Sequence, residues 1–253
     1  MSSPFVAGSR GPLGGESHRP IVDTGTVNRQ QNRPPGPSCS ASPLFSLTAH
    51  MLLGGVHVVM DEYAQEIFDL WFSGKALGDV VIDNDKWANY MRADPGLERH
   101  IVNTLRTHAC ADEVRGPLDA GQSRHEGVFS LGTQAEVGDS YGGYATGYAV
   151  LHGSNKTVGG FQISGRFSAE RAGPAGSPYT VAYSELAYVF NDLVDINKKY
   201  KADVQFGVLA ANMARCLGGL PPRDFTLRIK WRDKATRRVS IGGPGFLPEF
   251  RKL

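Results

Sequence analysis

The sequence predicts an α+β protein in which N-terminal helices precede an antiparallel sheet, with one late helix before the last strand. Between residues 50 and 110, apolar side chains recur at three- and four-residue steps, the period of a helix with one buried face. From about residue 125 the period becomes two, as in strands half-buried on a core. A second helical stretch over 199–217 then leads into the alternating run Phe225–Trp231. Helices segregated from a meander in this way pack as one layer on another.

The first 44 residues carry seven of the fifteen prolines, several Gly-Ser and Gly-Pro steps and few large apolar side chains. That composition predicts a disordered leader. The start, Met1-Ser-Ser-Pro-Phe-Val, lacks the basic and apolar regions of a secretory signal. A cytoplasmic chain, or one exported by a signal-independent route, is expected. No apolar run approaches the roughly 20 residues that span a bilayer as a helix. A single domain over 45–232 follows, with a helical part at 45–110 and a sheet part at 125–232. Residues 233–253 read as a basic tail.

Within the helical part, Val56, Val59, Tyr63, Ile67, Leu70 and Trp71 form one stripe, and Gly74 suits the left-handed residue that closes a helix. Asn84 to Met91 reads as a shorter helix capped by Asp83 or Asn84. Asp94-Pro95 is a cap followed by proline at the first helical position, where a missing N–H costs nothing. Leu97, Ile101 and Leu105 make the third apolar face, with His100 and His108 expected at the surface. Ala111 to Arg124 reads as a polar loop.

Tyr144–His152, Phe161–Phe167 and Tyr179–Tyr183 alternate apolar with polar or small residues. They are bounded by Gly153-Ser154-Asn155 and by Gly173-Pro174 with Gly176-Ser177-Pro178, which are turn chemistry. The late helix, with Val204, Val208 and Met213, is ended by Gly218-Gly219 and Pro221-Pro222, and the sheet is expected to pack on it. The last strand sets Phe225, Leu227, Ile229 and Trp231 on one face and Thr226, Arg228, Lys230 and Arg232 on the other.

Net charge is +2, unevenly spread. Val56–Glu98 holds nine acids and three bases, whereas Arg223–Leu253 holds nine bases and three acids. Such asymmetry suits an anionic partner at the basic end or a solvated strand with a basic tail. Cys39, Cys110 and Cys216 are far apart, without the C-x-x-C pairs of zinc ribbons or redox sites. Phosphate-loop, zincin and dinucleotide fingerprints are missing from the sequence.

The densest polar segment is Asn191-Asp192-Leu-Val-Asp195-Ile-Asn197. Asp192, Asp195 and Asn197 are close enough in sequence to ligate one divalent cation, Mg²⁺ or Ca²⁺, through oxygen. The structural alternative is a connection in which Asp195 or Asn197 caps the next helix. His152 and Lys156 flank a tight polar turn; together they suit acid–base chemistry or a phosphate, or else an ordinary hairpin. Tyrosines 141, 144, 148, 179, 183 and 188 fit either a stacking surface or ordinary half-buried strands.

The segment Ala187–Asn197, followed by a helix, a Gly-Gly stop and the strand Asp224–Trp231, resembles C-terminal domains of bacterial polymorphic toxins and bacteriocins, nearest to the colicin M-like lipid II hydrolases. Their motif is Asp-x-Tyr-Asp with His-Arg six residues later. Asp192 and Asp195 match the two aspartates, while Val194 stands at the tyrosine and Lys201-Ala202 at the His-Arg pair. The resemblance implies a toxin-like effector that hydrolyses phosphodiester or lipid-linked phosphate bonds. Asp192 and Asp195 would then bind a cation or position water, and His152 with Lys156, from the polar turn, would serve the phosphate as further catalytic residues. The other expectation is a non-catalytic module that binds a protein or polyanion through its tyrosine-rich sheet and basic last strand.

Overall fold

The structure, a computed structural model, describes residues 60–76, 78–138, 147–152, 156–195, 223–242 and 249–252. The expected leader and the expected late helix lie outside these residues. Helix α1 (Glu62–Phe72) starts where Asp61 caps it, Oδ1 accepting the Ala64 N–H at 2.9 Å. Asp61 is extended, so the helix begins at residue 62, not 56, and it buries Ala64, Ile67, Phe68 and Trp71. Gly74, at φ 63°, closes it in the left-handed region.

A short strand, β1 (Asp79–Ile82), precedes α2 (Asp85–Ala93), whose cap is Asn84. Helix α3 (Pro95–Ala109) follows, capped by Asp94 with proline in its first turn, as the sequence indicates. The expected polar loop after it holds a fourth helix, α4 (Asp112–Asp119), which buries Val114 and Leu118. Gly116 and Pro117 disguise it. In so short a helix, Pro117 gives up only one hydrogen-bond donor near the end, and Asp112 and Glu113 favour the start.

Strands β2 (Arg124–Gly138), β3 (Lys156–Arg171) and β4 (Tyr179–Val194) form a meander, joined to β5 (Phe225–Arg232). A short 3₁₀ helix, Tyr148–His152, stands where alternation suggests a strand. The sheet order is β1-β5-β4-β3-β2, antiparallel except for the β1–β5 pair. The expected basic tail instead contributes β6 (Arg237–Ile241), which pairs with the first half of β4, and β7 (Glu249–Lys252), which pairs with β6. Long β4 therefore faces two partners in succession, β6 along 179–183 and β5 along 187–194.

One face of the sheet is the core. Phe129, Phe161, Ile163, Tyr183, Tyr188, Phe190, Leu227, Ile229, Trp231 and Val239 are buried there with the apolar stripes of α1 to α4. The layer packed on the sheet is thus these helices. Tyr179 and Tyr183 hydroxyls donate to the Ala109 and Leu105 carbonyls at the end of α3, satisfying groups that a helix terminus leaves open. His108 is buried as well. Its Nδ1 lies 2.9 Å from the Tyr183 hydroxyl and its Nε2 lies 2.9 Å from Glu113. His100 is half-buried against Thr133. Neither histidine is the plain surface residue that the sequence suggests.

Candidate functional site

Asp192 does not sit in a connection after the sheet. Strand β4 runs on to Val194, so Asp192 is a strand residue, and its side chain points into the helix-covered side. An extended chain alternates faces, and Asp192 follows Tyr188 and Phe190 in the buried series. It is 9% exposed, and its Oδ2 accepts a hydrogen bond from Thr157 Oγ1 at 3.1 Å. The fully buried phenol of Tyr148 lies against it. Burial raises the Tyr148 pKa well above its usual value, and charge and hydrogen bonding from Asp192 push it further.

Around Tyr148 stand Trp87 and Tyr90, with ring centroids 5.8 and 6.2 Å away. Two caps close this end of the core. The second oxygen of Asp94 accepts the Gly138 N–H at 2.7 Å, and the second oxygen of Asp61 accepts the Gly147 N–H. Each carboxylate therefore starts a helix with one oxygen; with the other, Asp94 fixes the end of β2 and Asp61 fixes a point within the β2–β3 connection. Gly147, at φ 70°, is needed there, because a Cβ would meet the Tyr90 hydroxyl. The arrangement keeps one carboxylate and two phenols among aromatic rings, held by internal hydrogen bonds.

The other expected site residues separate from Asp192. Lys156 is exposed, lies on the opposite face of the sheet and pairs with Glu136 at 3.0 Å. Thr157, the next residue along β3, is the one that turns inward to Asp192. Asp195 is half-buried just past the end of β4. The backbone of His152 ends the 3₁₀ helix, while its side chain, like Asn197, lies outside the described residues. Among the described residues no three His, Cys, Asp or Glu side chains are grouped to hold a metal ion. Cys110 is a free, exposed thiol.

Of the tyrosines that fit either a stacking surface or half-buried strands, Tyr148, Tyr179, Tyr183 and Tyr188 are buried and face the helices, while Tyr141 and Tyr144 lie outside the described residues. The reverse face of the sheet carries the basic residues. Arg228, Lys230 and Arg232 alternate outward along β5, and Arg238 continues the row on β6, opposite Ala182 of β4. Successive members of a strand row stand about 6.7 Å apart. Arg228 is paired with Asp79 at 2.7 Å, a half-exposed contact of little energetic weight. Lys230, Arg232 and Arg238 have no acidic partner among the described residues. Beside them on β4 lie Ala187 and Val189, and no described element covers this face. Arg238 escapes a sequence reading that ends the fold at residue 232, although the alternation in Arg237–Ile241 is a strand signal.

Compared with protein-family models, curated proteins and solved structures, the chain matches none.

Proposed function

We propose that the chain is a non-catalytic interaction module whose outward sheet face docks an acidic protein partner. One observation carries the reading: Lys230, Arg232 and Arg238 form a row on an open face with no acid beside them among the described residues. Cations spaced along a rigid strand attract a polyanion at long range and fix its register at short range. Small apolar residues next to that row, Ala187 and Val189, suit the mixed surface of a protein interface. No aromatic side chain lies on that face among the described residues, and this favours protein over single-stranded nucleic acid, which binds largely by stacking on such rings.

Poly-L-glutamate and a single-stranded oligonucleotide of similar charge serve as probes. Poly-glutamate is expected to bind, to weaken as salt rises and to be lost in the triple variant Lys230→Glu, Arg232→Glu, Arg238→Glu. That variant is expected to melt within a few degrees of the parent chain, since all three side chains point outward. Tighter binding of the oligonucleotide, or a triple variant that still binds, would overturn the reading.

The toxin-like hydrolase reading retains one supporting observation, the buried Asp192 carboxylate against Tyr148. Its partners argue for the binding reading, because Thr157 and Tyr148 already engage the carboxylate while Lys156 stands on the other face. Turnover of a phosphodiester substrate that vanishes in Asp192→Asn would restore the hydrolase.

A further inference from the structure

We propose that β2 is a dimer edge, pairing antiparallel with β2 of a second copy of this chain. Strand β2 is 15 residues long and ends the sheet order. No described strand pairs with its outer edge. Its backbone phase is fixed at both ends. The Arg171 N–H bonds the Ser123 carbonyl, whereas the Gly138 N–H points away from β3, to Asp94. Antiparallel ladders alternate strictly, so the even-numbered residues from Arg124 to Glu136 present their N–H and C=O groups outward.

Long strand edges are ordinarily guarded by proline, lysine, a bulge or a covering element. From Gly127 to Ala135 this edge carries no charge and no proline, and its pairing with β3 is unbroken by any bulge. Val128, 75% exposed, is the most exposed of the large apolar side chains described.

The edge is complementary to itself in one register. Outward backbone groups at even positions must meet even positions of the partner, which restricts where a twofold axis can fall. With the axis at Ser130, Arg124 faces Glu136, Glu126 faces Gln134 and Val128 faces Gly132, each contact occurring twice. On the helix side Phe129 then faces Leu131, an apolar pair whose Leu131 is only half-buried in the single chain. Moving the axis to Leu131 sets Glu126 against Glu136, and moving it to Phe129 loses the Arg124–Glu136 pair. Opposite charges across strands stabilise pairing and like charges oppose it, so the Ser130 register is selected. Arg124 already contacts Glu170, and Glu136 contacts Lys156, so the new pairs extend existing rows of alternating charge.

The test is the mass of the full chain in solution at tens of micromolar, by sedimentation or light scattering. The expected result is twice the 27.3 kDa chain mass. Ser130→Lys sets two ammonium groups on the axis and is expected to give a monomer with an unchanged circular dichroism spectrum, because Ser130 is exposed. Glu136→Arg is expected to dissociate the dimer, and adding Arg124→Glu to restore it by exchanging the charges. A monomeric parent chain, a dimer that persists in Ser130→Lys or a double variant that stays monomeric would overturn the proposal.

Discussion

His108 shows how one side chain ties five elements together. It lies in the last turn of α3, packs against Phe129 of β2 and the edge of Phe167 of β3, touches Tyr183 of β4 and reaches Glu113 at the start of α4. Burial lowers its pKa, and the Glu113 carboxylate offsets this only in part. The unfolded chain, with an ordinary histidine near ~6.5, therefore takes up the proton first as pH falls. The stability held by neutral His108 is present above about pH 6.5 and is lost as pH falls towards the lower folded-state value. Half-buried His100, also lowered by burial, acts in the same direction. Melting temperatures from about pH 7.5 to about pH 5 are expected to fall, less steeply in His108→Phe and more steeply in Glu113→Gln, which removes the charge that favours protonation. Equal slopes in all three proteins would show that His108 does not titrate in this window. Asp192 was legible only as a member of a dense polar segment expected to follow the strand. Its contacts were not, because Thr157 and Tyr148 lie far from it in sequence and only the fold brings them close.

At the scale of elements, β4 determines the shape of the sheet. Its pairing with β3 slips between Ser164 and Arg166, where Glu185 and Leu186 stand opposite the single residue Gly165. Glu185 has φ 53°, a left-handed conformation uncommon outside glycine. This bulge lies where β4 changes partners from β6 to β5, so it bends the strand and resets which side chains face the core. Gly165 permits it, since a Cβ there would sit 2.8 Å from the Ser184 carbonyl. Gly165→Val is expected to cost about 1–3 kcal/mol, the usual range for forcing volume into a packed site. Urea unfolding checks this, and an unchanged midpoint would mean that the bulge adapts freely. Periodicity made α1, α2, α3 and β5 legible because each buries one clean stripe. It hid α4 behind Gly116-Pro117, and it hid β2, whose polar and glycine residues dilute the alternation along an edge strand. It also suggested a strand at Tyr148–His152, where three consecutive residues, Gly147, Tyr148 and Ala149, are all buried, a pattern that suits a tight helical turn.

For the molecule as a whole, the segment after Arg232 decides whether the domain is complete. A basic composition suggested a tail, yet Arg237 is only 2% exposed. Its guanidinium grips Glu98 of α3 through two bonds of 2.7 and 3.0 Å and also binds Asp233. Asp233 in turn accepts the Tyr188 hydroxyl at 2.9 Å. Burial disfavours the Arg237 charge, but these partners outweigh it and raise the pKa above the ordinary arginine value. Val239 is fully buried two residues later, and β6 covers the 179–183 stretch of β4. Ending the chain at Arg232 would remove Val239, a loss of about 1.5–3 kcal/mol. It would also remove Asp233 from the Tyr188 hydroxyl and leave the Glu98 carboxylate without its arginine; Glu98 is 35% exposed, so water takes up part of that loss and about 1 kcal/mol remains. An uncovered stretch of β4 adds unpaired backbone groups to that loss. Together these approach the lower end of the roughly 5–15 kcal/mol that holds a typical domain folded. The truncated chain is therefore expected to unfold at far lower urea or to lose its cooperative transition altogether, as followed by tryptophan fluorescence of the buried Trp71, Trp87 and Trp231. A truncated chain with the parent's midpoint would return residues 233–253 to the status of a tail and remove β6 from the fold.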